Sequence, residues 1–235
     1  MTDHLDVILR VYDLAELPLL RTCVFTLLGQ NRPALPVVLR INLMTERLTS
    51  GEAQELRAGL ADLLDLDDTV RLVLRNWDFR APFDLRVPLL NLALDVTTGR
   101  YLSVLDSNDL LLPGALATLL HRLDQTGAAA AVGGLQEQRV RWEGDVFLPL
   151  APPTAPQAGH DATWVLLDRT RLDKTSRFQA VDDATAMADF LARLRPGQAV
   201  DDACAARALC IRQDFRAITP RPPAEVGSEA KSNTA

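Results

Sequence analysis

The sequence predicts an α/β protein: a single domain with a mostly parallel central sheet flanked by helices. Three observations point to the α/β class. Short apolar runs typical of buried strands alternate with stretches of helical length, the pattern of βαβ units. With 48% of residues hydrophobic and only 5% aromatic, the core must be built mainly of Leu, Val and Ala, which suits strands covered by helices on both faces. A length of 235 residues is ample for one sizeable domain and marginal for two.

The elements follow in order. Leu5 to Val11 reads as the first strand, with Tyr12 and Asp13 in the loop behind it. A helix runs from Leu17 to about Leu28, with Pro18 in its first turn, where the missing N–H costs nothing. Pro36 to Ile41 reads as a second strand. Ser50 reads as the N-cap of a helix reaching about Leu64, with Glu52 and Glu55 suited to its positive end. Val70 to Leu74 is a third, short strand. Pro88 opens a helix that ends at Val96, just before Gly99. Tyr101 to Leu105 is the fourth strand, and Leu116 to Leu123 an amphipathic helix.

Beyond about Leu135 the alternation loosens. Gln136 to Leu150 reads as an antiparallel pair containing Trp142. Thr163 to Leu167 is a strand, and Thr185 to Leu194 and Asp201 to Leu209 read as helices. From Thr219 to Ala235 apolar residues nearly vanish, and a disordered tail is expected.

Composition excludes several classes. The net charge of −6 gives no basic footprint for a nucleic-acid backbone. Cys23, Cys204 and Cys210 are odd in number and widely scattered, which reads as free thiols in a reducing compartment. The N-terminus lacks the pattern of a signal peptide, and no apolar run is long enough for a membrane span. A soluble, cytoplasmic protein is expected.

The stretch richest in chemistry is Gly99 to Pro113. An apolar run stops at Asp106, Ser107, Asn108 and Asp109, so oxygen ligands stand at the C-terminal end of a strand, where open α/β sheets bind ligands. Such oxygens can hold a hard divalent cation whose other positions are filled by water and phosphate. The alternative is a plain turn or cap, since Ser, Asn and Asp favour both.

This stretch resembles the centre of the family 2 glycosyltransferases, whose usual form there is G-x-Y-[IVL]-x-[FV]-L-D-x-D-D. Other segments resemble the family in the same order: Leu5 to Asp13, Leu17 to Gln30 with Cys23 at its usual place, Asn76, Arg86 to Gly99, and Leu110 to Leu120. The resemblance covers roughly residues 1–125 and implies a GT-A fold of residues 1–218. Its first half (1–125) would hold the nucleotide sugar, and its second half (126–218) would face the acceptor.

The resemblance implies roles for single residues. Tyr12 and Asp13 lie where the nucleoside base is held, and Asn42 near the position that contacts base or ribose. Arg86 lies where a basic residue approaches the diphosphate. Asp106 matches the first Asp of the D-x-D motif, and Asn108 replaces the second, so Asp106 and Asn108 would hold Mn²⁺ or Mg²⁺. The implied activity is inverting transfer of a sugar from a nucleotide-diphosphate sugar to a saccharide, lipid-linked or protein acceptor, in bacterial surface-polysaccharide or glycoprotein assembly.

Several positions depart from the family. Arg10 stands where Pro is usual. The acidic signature after the second strand is missing in Arg40 to Glu46. Met187 occupies the place of the catalytic carboxylate; Asp183 or Asp182, one helical turn earlier, would then be the base, with Asp189 the other candidate, while the alternative is that Asp182 and Asp183 simply start the helix, where carboxylates suit the dipole. Three losses at separate functional positions also support a second reading, a catalytically inactive scaffold of the same fold.

Overall fold

A computed structural model describes residues 2–11, 13–30, 35–45, 48–64, 71–76, 86–143, 146–155, 163–173, 176–179, 186–194 and 200–214. The strands are β1 (Thr2–Val11), β2 (Val38–Thr45), β3 (Arg71–Asn76), β4 (Gly99–Asp106), β5 (Asp109–Leu111), β6 (Ala130–Glu143), β7 (Val146–Pro149), β8 (Thr163–Asp168) and β9 (Val200–Asp214). The helices are α1 (Leu17–Gly29), α2 (Ser50–Ala58), α3 (Ala61–Leu64), α4 (Arg86–Val96), α5 (Ala115–Thr126) and α6 (Ala186–Ala192).

The sheet runs in the order β3-β2-β1-β4-β8-β6-β9-β5, with β7 paired to β6. β1, β2, β3 and β4 are parallel neighbours. The strand order reverses at β1: the chain first winds outward to β2 and β3, then returns to place β4 on the other side of β1. The gap between the ends of β1 and β4 is therefore the switch point of the fold. The second half is mixed. β8 is antiparallel to β4 and β6, β7 is antiparallel to β6, and β9 is parallel to β6 but antiparallel to β5.

The two-residue period of β1 sorts its side chains between two cores. Leu5, Val7, Leu9 and Val11 join α1, α2 and α5 on one face. Ile8 joins Met44, Leu102 and residues of α4 and α6 on the other. All five are essentially inaccessible, and each such side chain is worth about 1.5–3 kcal/mol over exposure. His4, Asp6 and Arg10 alternate with the first set and so share the face of Ile8.

Three expectations need correction. Thr49, not Ser50, caps α2: its Oγ1 accepts from the Glu52 amide while Glu52 accepts from the Thr49 amide, a reciprocal capping box. The helix then breaks at Gly59 and Leu60 instead of running unbroken to Leu64. Asp201 to Leu209 is not a helix but most of β9. Its Ala-rich composition favours a helix, but pairing to β6, with register shifts near Gly133 and Gly134, overrides that local preference. Gly134 permits the close approach, since a Cβ there would lie 2.5 Å from the Arg207 carbonyl oxygen and 2.6 Å from that of Ala205.

The antiparallel pair expected between Gln136 and Leu150 forms as β6 and β7. The expected tail lies outside the described residues.

Candidate functional site

Four charged side chains meet at the switch point. Parallel pairing of β1 and β4 sets Arg10 opposite Asp106, and antiparallel pairing of β5 and β9 sets Asp109 opposite Arg212. Ser107 and Asn108 form the turn that joins the two pairs. Asp106 Oδ1 accepts from Arg10 Nε at 2.7 Å, with Arg10 Nη2 2.6 Å away. Asp106 Oδ2 lies 3.3 Å from Arg212 Nη2. The Arg212 fork also grips Asp109, Nε to Oδ1 at 2.8 Å and Nη2 to Oδ2 at 3.0 Å. Asp109 closes the turn by accepting the Asp106 amide at 3.0 Å.

Accessibility divides the four. Asp109 is buried, with a side chain 2% exposed, whereas Arg212 is 37% exposed at the rim. Burial disfavours charge on Arg212, but the carboxylates of Asp109 and Asp106 outweigh it and raise its pKa further. The guanidinium is thus a permanent cation.

The surrounding loops are fastened to this turn. Ser107 Oγ donates to Glu16 Oε2 at 2.7 Å, which links the turn to the segment after β1. Asn108 Nδ2 donates to the Gln213 carbonyl at 2.8 Å, and the Gln213 amide donates back to the Asn108 carbonyl at 3.0 Å. Cys23 lies behind the strand end, its Sγ 3.7 Å from the Asp106 carbonyl. Burial pushes this thiol well above its ordinary pKa, so it packs as a neutral apolar group.

The expected site residues fall into three groups. Asp106 and Asn108 are at the switch point, and Asp13 is beside it, capping the 3-10 turn Leu14–Glu16 by accepting the Ala15 amide at 2.9 Å. Asn42 is placed elsewhere: it lies inside β2, buried, and donates to Asp6 Oδ1 at 3.0 Å. Arg86 begins α4, while its side chain, together with Tyr12, Asp182 and Asp183, lies outside the described residues. Sequence reasoning noted Arg10 only as a departure and missed Arg212 entirely. The available signal was the pair of carboxylates at 106 and 109, which in a partly buried turn requires cationic partners.

As arranged, Asp106 and Asn108 are both engaged by other groups of the protein. Both Asp106 oxygens face guanidinium groups, and the Asn108 amide is tied to the β9 backbone. Among the described residues, no group of three or more His, Cys, Asp or Glu side chains is placed to hold a metal ion.

A curled mixed sheet flanked by helices, with polar groups gathered at its switch point, defines the GT-A class of fold. No family model matches the chain, and no curated protein matches it in sequence. Solved structures do. S. aureus TarS (residues 1–349) in complex with UDP-GlcNAc is 15% identical, with 92% of this chain and 60% of that one covered and a TM-score of 0.60. The mannosyltransferase PcManGT from Pyrobaculum calidifontis, in complex with GDP-Man and Mn²⁺, is 14% identical, with 90% and 57% covered and a TM-score of 0.58. At such identities the likeness is one of fold. The chain spans less than two thirds of the length of these structures. Among the described residues, no helix is long and apolar enough to cross a membrane.

Proposed function

We propose that the protein is a glycosyltransferase that binds a nucleotide-diphosphate sugar at the switch point and transfers the sugar to a saccharide, lipid-linked or protein acceptor. The observation that carries this reading is the coincidence of two independent features. The charged cluster of Arg10, Asp106, Asp109 and Arg212 stands at the C-terminal ends of β1 and β4, and proteins of the same fold have been solved with UDP, UDP-GlcNAc and GDP-Man.

In this proposal Tyr12 and Asp13 hold the nucleoside, and Arg86 approaches the diphosphate. The acceptor hydroxyl oxygen attacks the anomeric carbon. The bond from that carbon to the diphosphate oxygen breaks, and its electron pair leaves with the nucleoside diphosphate. The hydroxyl proton passes to Asp183 or Asp182, which stand one helical turn before the family's base position. Cations around the leaving diphosphate stabilise the charge it gains.

The test is a thermal shift of the full chain against UDP, GDP and their sugars in Mn²⁺-containing buffer, the most permissive condition. A ligand at 100 times its Kd adds about 2.7 kcal/mol, a rise of about 5–11 °C for a chain of this size. A rise with one nucleotide class names the donor. No rise with any of them leaves the inactive-scaffold reading.

A further inference from the structure

We infer that Arg10 and Arg212 take the place of the divalent cation, so that this site binds a nucleoside diphosphate without metal. The inference rests on the nucleotide-sugar reading above and sharpens it.

Charge supplies the first argument. A D-x-D site consists of two carboxylates, which a divalent cation brings to neutrality before the diphosphate arrives. Here Asp106 and Asp109 are two carboxylates, and Arg10 and Arg212 bring them to the same neutrality. The two positive charges a metal would add are already built into β1 and β9.

Geometry supplies the second. A cation ligated by Asp106 would have to displace Arg10 Nη2 at 2.6 Å from one oxygen and Arg212 Nη2 at 3.3 Å from the other. It would then sit against both displaced guanidiniums, one of which, Arg212, is anchored by two bonds to buried Asp109. The second ligand is also weaker, because Asn108 offers no charge; its Nδ2 donates to the Gln213 carbonyl, which fixes the orientation of the amide.

Chemistry supplies the third. A guanidinium stays charged at any relevant pH and offers a planar fork of N–H donors that matches phosphate oxygens. Arg212 is the more exposed of the pair and stands at the rim. The arrangement thus puts fixed cations where the leaving diphosphate accumulates charge.

The experiment compares binding of UDP and GDP to the full chain in EDTA and in Mn²⁺, by calorimetric titration. The expected result is an unchanged Kd in the two buffers. Asp106→Asn separates the alternatives by sign. With arginines as the cations, removing a carboxylate leaves the cluster one unit more positive. Binding in EDTA should then tighten roughly fivefold, the worth of one unit charge at contact distance in water. A metal ligand lost by the same change would weaken binding instead.

Arg212→Lys keeps the charge and removes the fork, and should weaken binding about tenfold. Melting curves establish that each variant is folded before binding is read. Binding that requires Mn²⁺, or that is weakened by Asp106→Asn, overturns this inference and leaves the donor reading standing. Binding in EDTA that Arg212→Lys does not change overturns the role of Arg212. No binding in either buffer overturns the donor reading itself.

Discussion

The same face of one strand carries two charged clusters of opposite character. Midway along β1, Asp6 is 1% exposed. Its Oδ2 accepts from the backbone amides of Gly99 at 2.7 Å and Thr98 at 3.2 Å, and its Oδ1 from Asn42 Nδ2 at 3.0 Å. At the end of the same strand, two positions beyond Ile8, Arg10 meets Asp106 and through it Arg212. Asp6 is held largely by backbone N–H groups that cannot move without unwinding β4. Asp106 is held by side chains that can turn to another anion. The first cluster is a fastening, and the second is a set of contacts a ligand can exchange.

The contrast breaks first at Asp6. Asp6→Ala strands buried donors from Asn42, Thr98 and Gly99 and should cost about 3–5 kcal/mol, the usual toll of removing one partner from a buried polar cluster. Urea unfolding would show it as a large drop in midpoint. Asp106→Asn retains an acceptor for Arg10 and should cost about 1 kcal/mol or less. Equal losses at the two positions would show that both clusters fasten the fold.

Gly99 offers a smaller lever at the Asp6 cluster. A Cβ there would lie 2.7 Å from both Asp6 Oδ2 and the His4 carbonyl oxygen. The neighbours are backbone and a fixed carboxyl group, so the strand must shift. Gly99→Ala should cost about 1–3 kcal/mol, the range for overpacking a tight site, measured as a fall in Tm. Gly29→Ala is the control, because nothing lies within 4 Å of a Cβ there.

This contrast also explains what could be read from the sequence and what could not. The apolar run from Leu5 to Val11 made β1 legible, and local signals marked α1, α4, β4 and α5, whereas β2, read as Pro36 to Ile41, begins at Val38 and runs on to Thr45. Gly99 was read as a residue beyond a helix end and as the first position of the family's motif, while its closeness to Asp6 depends on the pairing of β1 with β4. Asn42 was placed at the nucleotide by resemblance, yet its partner Asp6 lies on another strand, 36 positions away. Arg212 answers Asp109 across 103 positions. It lies on a strand whose preceding Ala-rich run carries the local signature of a helix. Local periodicity reports which face a residue takes, not which charge it meets, so the strands were visible and the cluster was not.

The smallest expected effect is a pH dependence that belongs to the Asp6 cluster. His4 is buried beside Asp6, its Nε2 3.4 Å from Oδ2, with Thr98 nearby and Arg40 and Arg169 acting on it. Burial lowers its pKa below the ordinary 6.5, and Asp6 offsets only part of that. Below pH 6.5 the unfolded chain therefore takes up a proton that the native state refuses, so stability falls as the pH falls until the native pKa is passed. A second loss begins near pH 3.8. Asp168 and Asp201 both have lowered pKa values. For Asp168, burial is overcome by hydrogen bonds from Arg100 and Thr170; for Asp201, the hydrogen bond from Arg122 leads. The unfolded chain again binds protons first, and stability again falls with acid. Unfolding midpoints followed from pH 8 to pH 3 should show both declines. His4→Gln should remove the upper one and leave the lower one in place. If the upper decline survives that change, burial of His4 is not its origin.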